Sequence, residues 1–295
     1  MVDPGQVRIG ISGWRYKPWR GAFYPEKLPQ KNELSYASSL LSSIEINGTF
    51  YSLQRPESFA RWAADTPDDF IFSVKAPRYI THIRRLKEIE KPLANFFASG
   101  VLRLGSKLGP ILWQFPPNFR FEPERLEPFL KILPHDMDSA AAVARRRDRQ
   151  IIALASIKAE VEGPVRHAIE IRHQSFVTPE FIDMLRASDV ALVCADTVEW
   201  PRLMDITSDF VYCRLHGSEE LYVNGYDDKS LDAWAARVAA WARGRAPADA
   251  ECVTKNQDPK GHPRDVFVYF DNDAKVRAPS DAQGLIARVS KLLSK

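Results

Sequence analysis

The chain contains few residues suited to disulphide bonds or soft-metal sites, with three cysteines and six histidines among its 295 residues. Cys194, Cys213 and Cys252 form no Cys-x-x-Cys pair and no zinc-type spacing with histidine. Cys194 and Cys213 each lie inside an apolar run, where a thiol behaves as a small core side chain. We therefore expect a reduced, cytoplasmic protein.

Long apolar runs and a strong charge of either sign are also missing. No run approaches the ~18 apolar residues of a membrane span, and the N-terminal segment has no apolar stretch of the kind found in secretion signals. The formal net charge is +3 and the pI is near 8.7, below the pI of about 9 that is typical of dedicated nucleic-acid-binding domains. We expect no membrane partner, and this charge permits an anionic partner without requiring one.

Three common motifs of nucleotide binding and nucleophilic catalysis are absent. No GxGxxG fingerprint follows the first predicted strand, and the chain has neither a P-loop nor a GxSxG nucleophile motif. These absences argue against a dinucleotide-binding sheet and against a P-loop nucleotide hydrolase. We predict no cofactor, and in particular no redox cofactor.

What the sequence does contain is a regular series of short apolar runs. Most of them are continuous stretches of β-branched and aromatic residues, which is typical of parallel strands covered by helices. The predicted strands are Val7–Ile11, Ser43–Ile46, Phe70–Val74, Ile111–Gln114, His167–Ile171, Val190–Cys194, Phe210–Leu215 and Val266–Phe270.

Helical segments alternate with these strands. Asn32–Leu41 and Pro56–Ala64 follow the first two strands, and a final helix runs from about Ser280 to Leu293. Thr178 is followed by a proline and an acidic residue, a typical helix start, and Ser230 is predicted to cap a helix with an apolar stripe.

This alternation predicts one α/β domain over residues 1–295. Eight strand–helix units without hairpin signals favour a closed (β/α)8 TIM barrel, which typically needs about 250 residues. The segment His135–Gly163 is longer than a strand–helix connection needs, so we predict an extra helix before strand five. The sequence indicates no role for its basic cluster Arg145–Arg149 or for the polar loop Glu251–Arg264.

Nearly every predicted strand ends in a polar or charged residue. Because the carboxyl ends of the strands meet at one face of a barrel, where TIM-barrel active sites lie, we predict a ligand site there. Side chains alternate along a strand, so Glu45 shares a face with Asn47 and Arg214 with His216. The predicted strand-end site consists of Glu45, Asn47, Lys75, Gln114, Glu170, Arg172, Asp196, Arg214, His216, Asp271 and Asn272.

The residue types at this site favour acid–base chemistry on an anionic ligand. Carboxylates and histidine transfer protons when their pKa values are shifted, so we predict catalytic roles for Glu45, Glu170, Asp196 and His216. Arginine and lysine bind phosphate or carboxylate groups, which suits Lys75, Arg172 and Arg214 as substrate-binding residues. A site poor in histidine and rich in cations disfavours a divalent metal ion.

The loop after the first strand is dense in aromatic and cationic residues. Trp14 and Tyr16 could stack a sugar or a base, and we include them among the substrate-binding residues. The alternative is a hydrophobic loop packed on the barrel rim. His82 follows strand three closely enough to reach the same end of the barrel, where it binds substrate or, alternatively, caps the next helix.

Several stretches of the chain resemble one family, in the family's order and over almost the whole length. They are ISGWRYKPWRGAFYPEKLP, IEINGTFYSL, TPDDFIFSVKAPRYITHIRRL, LGPILWQFPPNF, IEIRHQSF, the Ala195-Asp196-Thr197 turn, VYCRLHG and VYFDND. The chain is thereby identified as similar to the YecE-like proteins, the domain of unknown function 72. The resemblance implies a TIM barrel, but the family brings no established activity with it.

Three hypotheses of function follow. The first is an enzyme, of the hydrolase, lyase or isomerase class, acting on a small phosphorylated or carboxylated substrate. The second is a nucleic-acid-processing or DNA-repair-like protein, in which Arg84, Arg85 and the Arg145–Arg149 cluster contact phosphates. The third is a non-catalytic ligand-binding protein. The modest pI weighs against the second.

Overall fold

The computed structural model describes residues 3–149, 151, 155–217, 225–255, 261–272 and 276–294. Within them, eight parallel strands form a closed barrel in sequence order, and the last strand pairs with the first. The strands are β1 Val7–Ser12, β2 Ser43–Ile46, β3 Ile71–Lys75, β4 Leu108–Gln114, β5 His167–Glu170, β6 Ala191–Asp196, β7 Phe210–Leu215 and β8 Asp265–Phe270. The predicted (β/α)8 barrel and its eight strands are confirmed, although β4 begins at Leu108 rather than Ile111.

Helices surround this barrel. They are α1 Glu33–Leu40, α2 Gly48–Tyr51, α3 Pro56–Ala64, α4 Glu90–Ala98, α5 Pro123–Lys131, α6 Met137–Arg145, α7 Pro179–Ala187, α8 Asp228–Ala242 and α9 Ala278–Leu293. α6 is the predicted extra helix, and it packs against α4. In the described part of the chain, no helix combines the length and the apolar character that crossing a membrane requires.

The helix starts follow the capping chemistry of their sequences, with one correction. Thr178 caps α7 as predicted, since its hydroxyl accepts a hydrogen bond from the N–H of Phe181 at 3.3 Å. Ser230 does not cap α8. The helix begins three residues earlier than predicted, because the carboxylate of Asp227 accepts the N–H of Ser230 at 2.7 Å and an Asp is as good an N-cap as a Ser.

Apolar side chains form two separate layers. The larger one fills the space between the sheet and the helices, and the smaller one fills the barrel lumen. The lumen layer consists of Leu112, Ala168, Ala191, Val193, Phe210, Tyr212, Phe267 and Tyr269. Since side chains alternate along each strand, the residues two positions further along these strands also face the lumen, at its carboxyl end.

Two tyrosines carry polar groups into the upper part of this layer. Tyr269 shares a hydrogen bond of 2.7 Å with Ser43, and Tyr212 shares one of 2.7 Å with Ser73. Each serine also donates to a backbone carbonyl of the next strand. These bonds satisfy the buried hydroxyl groups, as a closed apolar lumen requires.

The polar loop that follows α8 is described only in part. Residues 256–260 lie outside the described residues. Glu251, at the start of the loop, forms an ion pair with Arg202, and its backbone carbonyl accepts the N–H of Met204 at 2.7 Å. The start of the loop is therefore joined to the segment after β6.

Strands β1 and β2 approach each other so closely that a side chain has no room between them. A Cβ atom on Gly10 would lie 1.7 Å from the backbone carbonyl oxygen of Ser43. That oxygen belongs to the strand backbone and cannot turn aside. Gly10 is therefore required for closure of the barrel at this seam.

We expect Gly10→Ala to reduce the free energy of unfolding by about 3 kcal/mol or more, because the strands must separate to admit the methyl group. Urea denaturation measures this change. Gly48→Ala is the matched control, since its Cβ would lie 3.7 Å from the nearest atom, a side-chain nitrogen, and alanine is favoured in helices. Equal stability of the two variants would show that the β1–β2 seam can relax.

Candidate active site

The guanidinium of Arg214 occupies the centre of the carboxyl end of the lumen and is fully buried. It donates to both oxygens of Glu45, from Nε at 3.1 Å and from Nη2 at 2.9 Å. Nη1 donates to Glu170 at 2.6 Å, and Nη2 also donates to Asp271 at 2.8 Å. One cation on β7 thus joins carboxylates from β2, from β5 and from the end of β8.

The oxygens of these carboxylates are occupied by further donors. Glu45 also accepts the hydroxyl of Ser12 at 2.7 Å and that of Tyr212 at 2.6 Å. The second oxygen of Glu170 accepts Arg172 Nε at 2.7 Å. Glu45 and Glu170 are both completely buried, so a substrate cannot reach them without displacing these donors.

Arg214 and its neighbours keep two of the carboxyls ionised. Burial alone would raise the pKa of Glu170, but the adjacent Arg172 and Arg214 outweigh it and hold that pKa well below its usual range. Burial likewise opposes ionisation of Asp271, and Arg214 followed by His216 lowers its pKa in the same way. Neither carboxyl takes up a proton near neutral pH.

His216 lies beside the same group of charges. Its Nδ1 is 3.2 Å from the carboxylate of Asp271, and its Nε2 is 3.4 Å from Nη1 of Arg214. The edge of Trp200 packs against the ring at a centroid distance of 5.4 Å. The imidazole is fully buried, so its contacts are with the protein interior.

Trp200 also supports Arg172, whose guanidinium lies 4.1 Å from the centre of the indole ring. A cation over a tryptophan face is stabilised by the ring quadrupole. The side chain of Arg172 is 11% exposed, unlike the enclosed Arg214. Arg172 is thus an oriented cation that faces the open end of the barrel.

Lys75, at the end of β3, is the second cation at this opening. Its ammonium group lies over the ring of Phe50, 4.5 Å from the centroid, and only 9% of the residue is exposed. Within the described part of the chain, no carboxylate or hydrogen-bond acceptor contacts its Nζ. Burial, reinforced by the charge of Arg214, lowers the pKa of Lys75 to about 8, although nearby carboxylates oppose this shift.

His82 also packs against Phe50. The two rings meet edge to face at a centroid distance of 5.1 Å, and Nδ1 is 2.8 Å from the hydroxyl of Thr81. Burial and then the charges of Lys75 and Arg172 lower the pKa of His82 to about 4. The imidazole is therefore neutral at pH 7, with a pKa on the opposite side of neutrality from that of Lys75.

Two amide side chains at the same end of the lumen have unsatisfied oxygens. Oδ1 of Asn47 and Oε1 of Gln114 are buried and have no hydrogen-bond donor among the described residues. Buried acceptors without a donor are uncommon in native proteins. Both residues were predicted to bind substrate, and both can accept a hydrogen bond from a ligand hydroxyl.

Two predicted site residues point away from the lumen, and their predicted positions are corrected. Asp196 faces α8, where its carboxylate accepts the hydroxyl of Tyr226 at 2.9 Å and the indole N–H of Trp234 at 3.1 Å. Asn272 donates to Asp281 of α9 at 2.9 Å. Each follows its strand on the face that packs against the helices.

Trp14 and Tyr16 lie at the rim, in a separate cavity of about 260 Å³ that Asn47 also lines. Trp14 is buried against Trp62 at a centroid distance of 5.4 Å, and the hydroxyl of Tyr16 donates to the carbonyl of Ser12 at 2.8 Å. The first loop is therefore largely packed against the barrel.

Sequence reasoning missed four side chains of this site: Ser12, Phe50, Tyr212 and Trp200. Tyr212 carries a signal in retrospect, because it lies two residues before Arg214 and so faces the same side of the strand. Trp200 lies in a loop without periodicity, so the sequence carries no signal for it.

Among the described residues, no group of three or more His, Cys, Asp or Glu side chains is arranged to hold a metal ion. The carboxylates of the site surround Arg214 instead.

Removing the central cation is expected to destabilise the protein strongly. Arg214→Met leaves three ionised carboxylates facing one another, and breaking a buried pair costs about 3–5 kcal/mol. Arg103→Met is the control, since Arg103 and its partner Glu160 are both well exposed and such pairs contribute at most about 1 kcal/mol. Urea denaturation at pH 7 separates the two cases. Wild-type stability of Arg214→Met would contradict a scaffolding role.

Removing the charge of Lys75 is expected to stabilise the protein, whereas removing that of Arg214 should destabilise it. Its pKa is about 8 in the folded protein and 10.5 in the unfolded chain, so burying the ammonium destabilises the protein at pH 7 by about 3 kcal/mol. Lys75→Met should therefore be more stable than wild type at pH 7. Between pH 8 and 10.5 the unfolded chain holds the extra proton, so wild-type stability should rise relative to the variant.

Thermal unfolding followed across this pH range measures the difference. Lys107→Met is the matched control, because Lys107 is equally buried but donates to the carbonyl oxygens of Ala63 and Thr66 at 2.6 and 2.8 Å. That variant should lose stability. If the stability of both variants changes in the same direction, the contacts of the two ammonium groups do not determine their effect on stability.

Comparison with known proteins identifies the family of this chain. A family model described as "Protein of unknown function DUF72" matches residues 8–294. Among curated proteins, UPF0759 protein YunF of Bacillus subtilis is 29% identical over 148 residues, 48% of this chain and 51% of YunF. UPF0759 protein YecE of Escherichia coli is 29% identical over 113 residues, 38% of this chain and 39% of YecE.

Solved structures show the same architecture. A DUF72 family protein from Thermotoga maritima superposes with a TM-score of 0.70 at 23% identity, covering 98% of this chain and 100% of that one. A DUF72 family protein from Enterococcus faecalis superposes with a TM-score of 0.68 at 18% identity, covering 97% and 96%. Since the family model spans nearly the whole chain, this protein belongs to the DUF72 family of uncharacterised TIM-barrel proteins.

Proposed function

We propose that this protein is an enzyme that carries out acid–base chemistry on a small anionic substrate at the carboxyl end of its barrel. The observation that carries the proposal is the nearly enclosed ammonium of Lys75, which contacts no acceptor or carboxylate among the described residues. A buried charge without a partner is costly, so such sites are expected to be completed by a ligand.

The distribution of charge indicates which ligand group binds there. Arg214, predicted to bind substrate, is fully buried and holds three carboxylates, so its role in this proposal is corrected to positioning. Lys75 and Arg172 remain at the opening. A phosphate or carboxylate between them would neutralise the unpaired ammonium and accept hydrogen bonds from the planar guanidinium.

The amide oxygens of Asn47 and Gln114 add a second feature of the substrate. Both lack a donor in the described part of the chain, and each lies two residues after a side chain that faces the lumen, Glu45 or Leu112. Hydroxyl groups on the substrate would supply those donors. A small acid or phosphate ester with several hydroxyl groups, such as a sugar phosphate, fits this combination of cations and free acceptors.

Proton transfer is assigned to different residues from those expected from the sequence. Glu45 and Glu170 are saturated by donors, and Asp196 faces α8, whereas Lys75 and His82 border the opening. A group with a pKa of about 8 exchanges its proton readily near neutral pH, and the neutral imidazole of His82 can accept one. His216 and the carboxylates then fix the guanidinium groups.

Lys75 and His82 together suit a reaction that removes a proton from the substrate and returns a proton to it, as isomerases and lyases do. The anion held by Lys75 and Arg172 would place a hydroxyl-bearing carbon near the imidazole. Because no step needs electron transfer, this chemistry works without a redox cofactor. A divalent metal ion is not part of the proposal, since Arg214 fills the position between the carboxylates.

The test is anion binding measured by isothermal titration across pH, with inorganic phosphate and a set of sugar phosphates. Affinity should fall as the pH rises through about 8, because the anion binds the protonated form of Lys75. Lys75→Met should lose at least tenfold in affinity and all of this pH dependence. The surface variant Lys131→Met should bind as wild type does.

Pocket occupancy and catalysis are separated by following bound sugar phosphates by NMR. Conversion by wild type and its loss in His82→Gln would support an enzyme. If every bound compound is recovered unchanged, the protein binds ligands without catalysing a reaction on them. Binding by Lys75→Met equal to that of wild type would overturn the proposed site itself.

A further inference from the structure

A second groove opens beside the barrel mouth, between α2, the π-helical turn Tyr79–Ile83 and the start of α4. Its volume is about 460 Å³. Phe50 forms part of its wall and also lies under the ammonium of Lys75, so the groove adjoins the proposed substrate site. The function proposed above does not use this groove.

Large apolar side chains are unusually exposed here. Tyr51 is 72% exposed and Tyr79 is 50% exposed, and Leu53 and Ile83 are exposed beside them. Among the described residues, only Leu40, Val161 and Val198 elsewhere are exposed apolar side chains of comparable size. A concentration of exposed apolar groups in one place marks an interaction surface.

The groove is bordered by cations whose charges are not neutralised. Arg78 and Lys91 line it and are exposed, and neither takes part in an ion pair with a described residue. Of the two lining acids, Glu88 pairs with Arg84, whereas Asp148 accepts Asn95 Nδ2 at 2.7 Å and keeps its charge. With the three cations Arg78, Arg84 and Lys91 against these two acids, the lining carries a net charge of +1.

The basic cluster Arg145–Arg149 extends this border. Lys91 donates to the carbonyl of Arg146 at 2.8 Å, and the N–H of Asp148 donates to Asn95 at 2.9 Å. These bonds fasten the segment after α6 to α4, at the edge of the groove. Arg145 and Arg149 are exposed and form no ion pair within the described chain.

The backbone that presents these side chains is held in an uncommon conformation. The π-helical turn Tyr79–Ile83 is followed by Arg85, Leu86 and Glu88, all with positive φ, at 50°, 63° and 48°. π-helical turns and non-glycine residues with positive φ concentrate at functional sites. This segment carries Tyr79 into solvent at the wall of the groove and leaves Ile83 exposed nearby.

We propose that this groove binds single-stranded nucleic acid, with bases stacked on Tyr51 and Tyr79 and phosphates contacting Arg78, Lys91 and the Arg145–Arg149 cluster. Aromatic faces interleaved with cations are the chemistry of single-strand binding, because every base offers a π face and every nucleotide a phosphate. An acidic protein could form ion pairs with the cations, but it has no repeating planar groups that would stack on the tyrosines. The adjoining mouth would then receive the end of the strand.

The experiment is fluorescence anisotropy of a labelled twelve-residue oligothymidylate, titrated with the protein at several salt concentrations. We expect binding at low salt, with log K falling by about 0.7 per phosphate contact for each tenfold rise in salt. Tyr51→Ala and Tyr79→Ala should each weaken binding roughly tenfold, without changing the salt slope. Arg78→Ala should weaken binding and reduce the slope.

Two variants on other surfaces serve as controls. Val198→Ala removes an equally exposed apolar side chain, and Lys291→Ala removes an exposed cation on α9. Both should bind as wild type does. The groove variants should bind inorganic phosphate with the affinity of wild type in the titration described above. A failure of this proposal can therefore be told apart from a failure of the proposed function.

Three results would overturn the proposal. The first is no anisotropy change at low salt, and the second is an equal loss of affinity in the groove variants and the controls. The third is displacement of the oligonucleotide by polyglutamate of equal charge at the same concentration as unlabelled oligothymidylate. That result would mean that charge alone, without base stacking, determines binding, as for an acidic protein partner.

Discussion

The arrangement of the barrel's carboxyl end depends on one buried guanidinium. Arg214 reaches across the lumen and gathers carboxylates from three other strand ends, so the register of each strand is tied to the others through one side chain. Isolated buried charges are costly, and this cluster is stable only because every oxygen of Glu45 and Glu170 has a donor. Arg214 therefore fixes the frame of the proposed substrate site, and among the described residues no carboxylate contacts the ammonium of Lys75.

The fold and half of the site could be read from the sequence because they rest on periodicity. Strand ends are recognisable from apolar runs, and alternation correctly put Arg214 and His216 on one side, where Nη1 and Nε2 lie 3.4 Å apart. Alternation alone does not say which side is the lumen. On β6 the lumen position is taken by Ala195, opposite Arg214, so Asp196 faces the helices instead. Nor does a sequence show which charges pair. Arg214 contacts three carboxylates, whereas Lys75 contacts none among the described residues, and this difference appears only when the strands are assembled.

The mouth contains two layers of ionisable groups with different behaviour. In the deeper layer the charges are paired and their protonation is fixed, as the lowered pKa values of Glu170 and Asp271 show. In the outer layer, neither Lys75 nor His82 pairs with a carboxylate of the described residues, and their pKa values lie on either side of neutrality. Burial lowers the pKa of Lys75 most, and the deeper layer acts on it with charges of both signs, since Arg214 lowers this pKa further while Glu45, Asp271 and Glu170 raise it.

Phe50 belongs to both the mouth and the groove beside it. Its ring touches the ammonium of Lys75 and the imidazole of His82, and it also lines the groove. Any occupant of the groove that turns this ring changes the cation–π stabilisation of Lys75, and hence the proton affinity of the amine. Such coupling is reciprocal, so protonation of one lysine would alter affinity in the groove by the same factor. Through this one phenyl ring, binding in the groove and protonation of Lys75 would be thermodynamically linked.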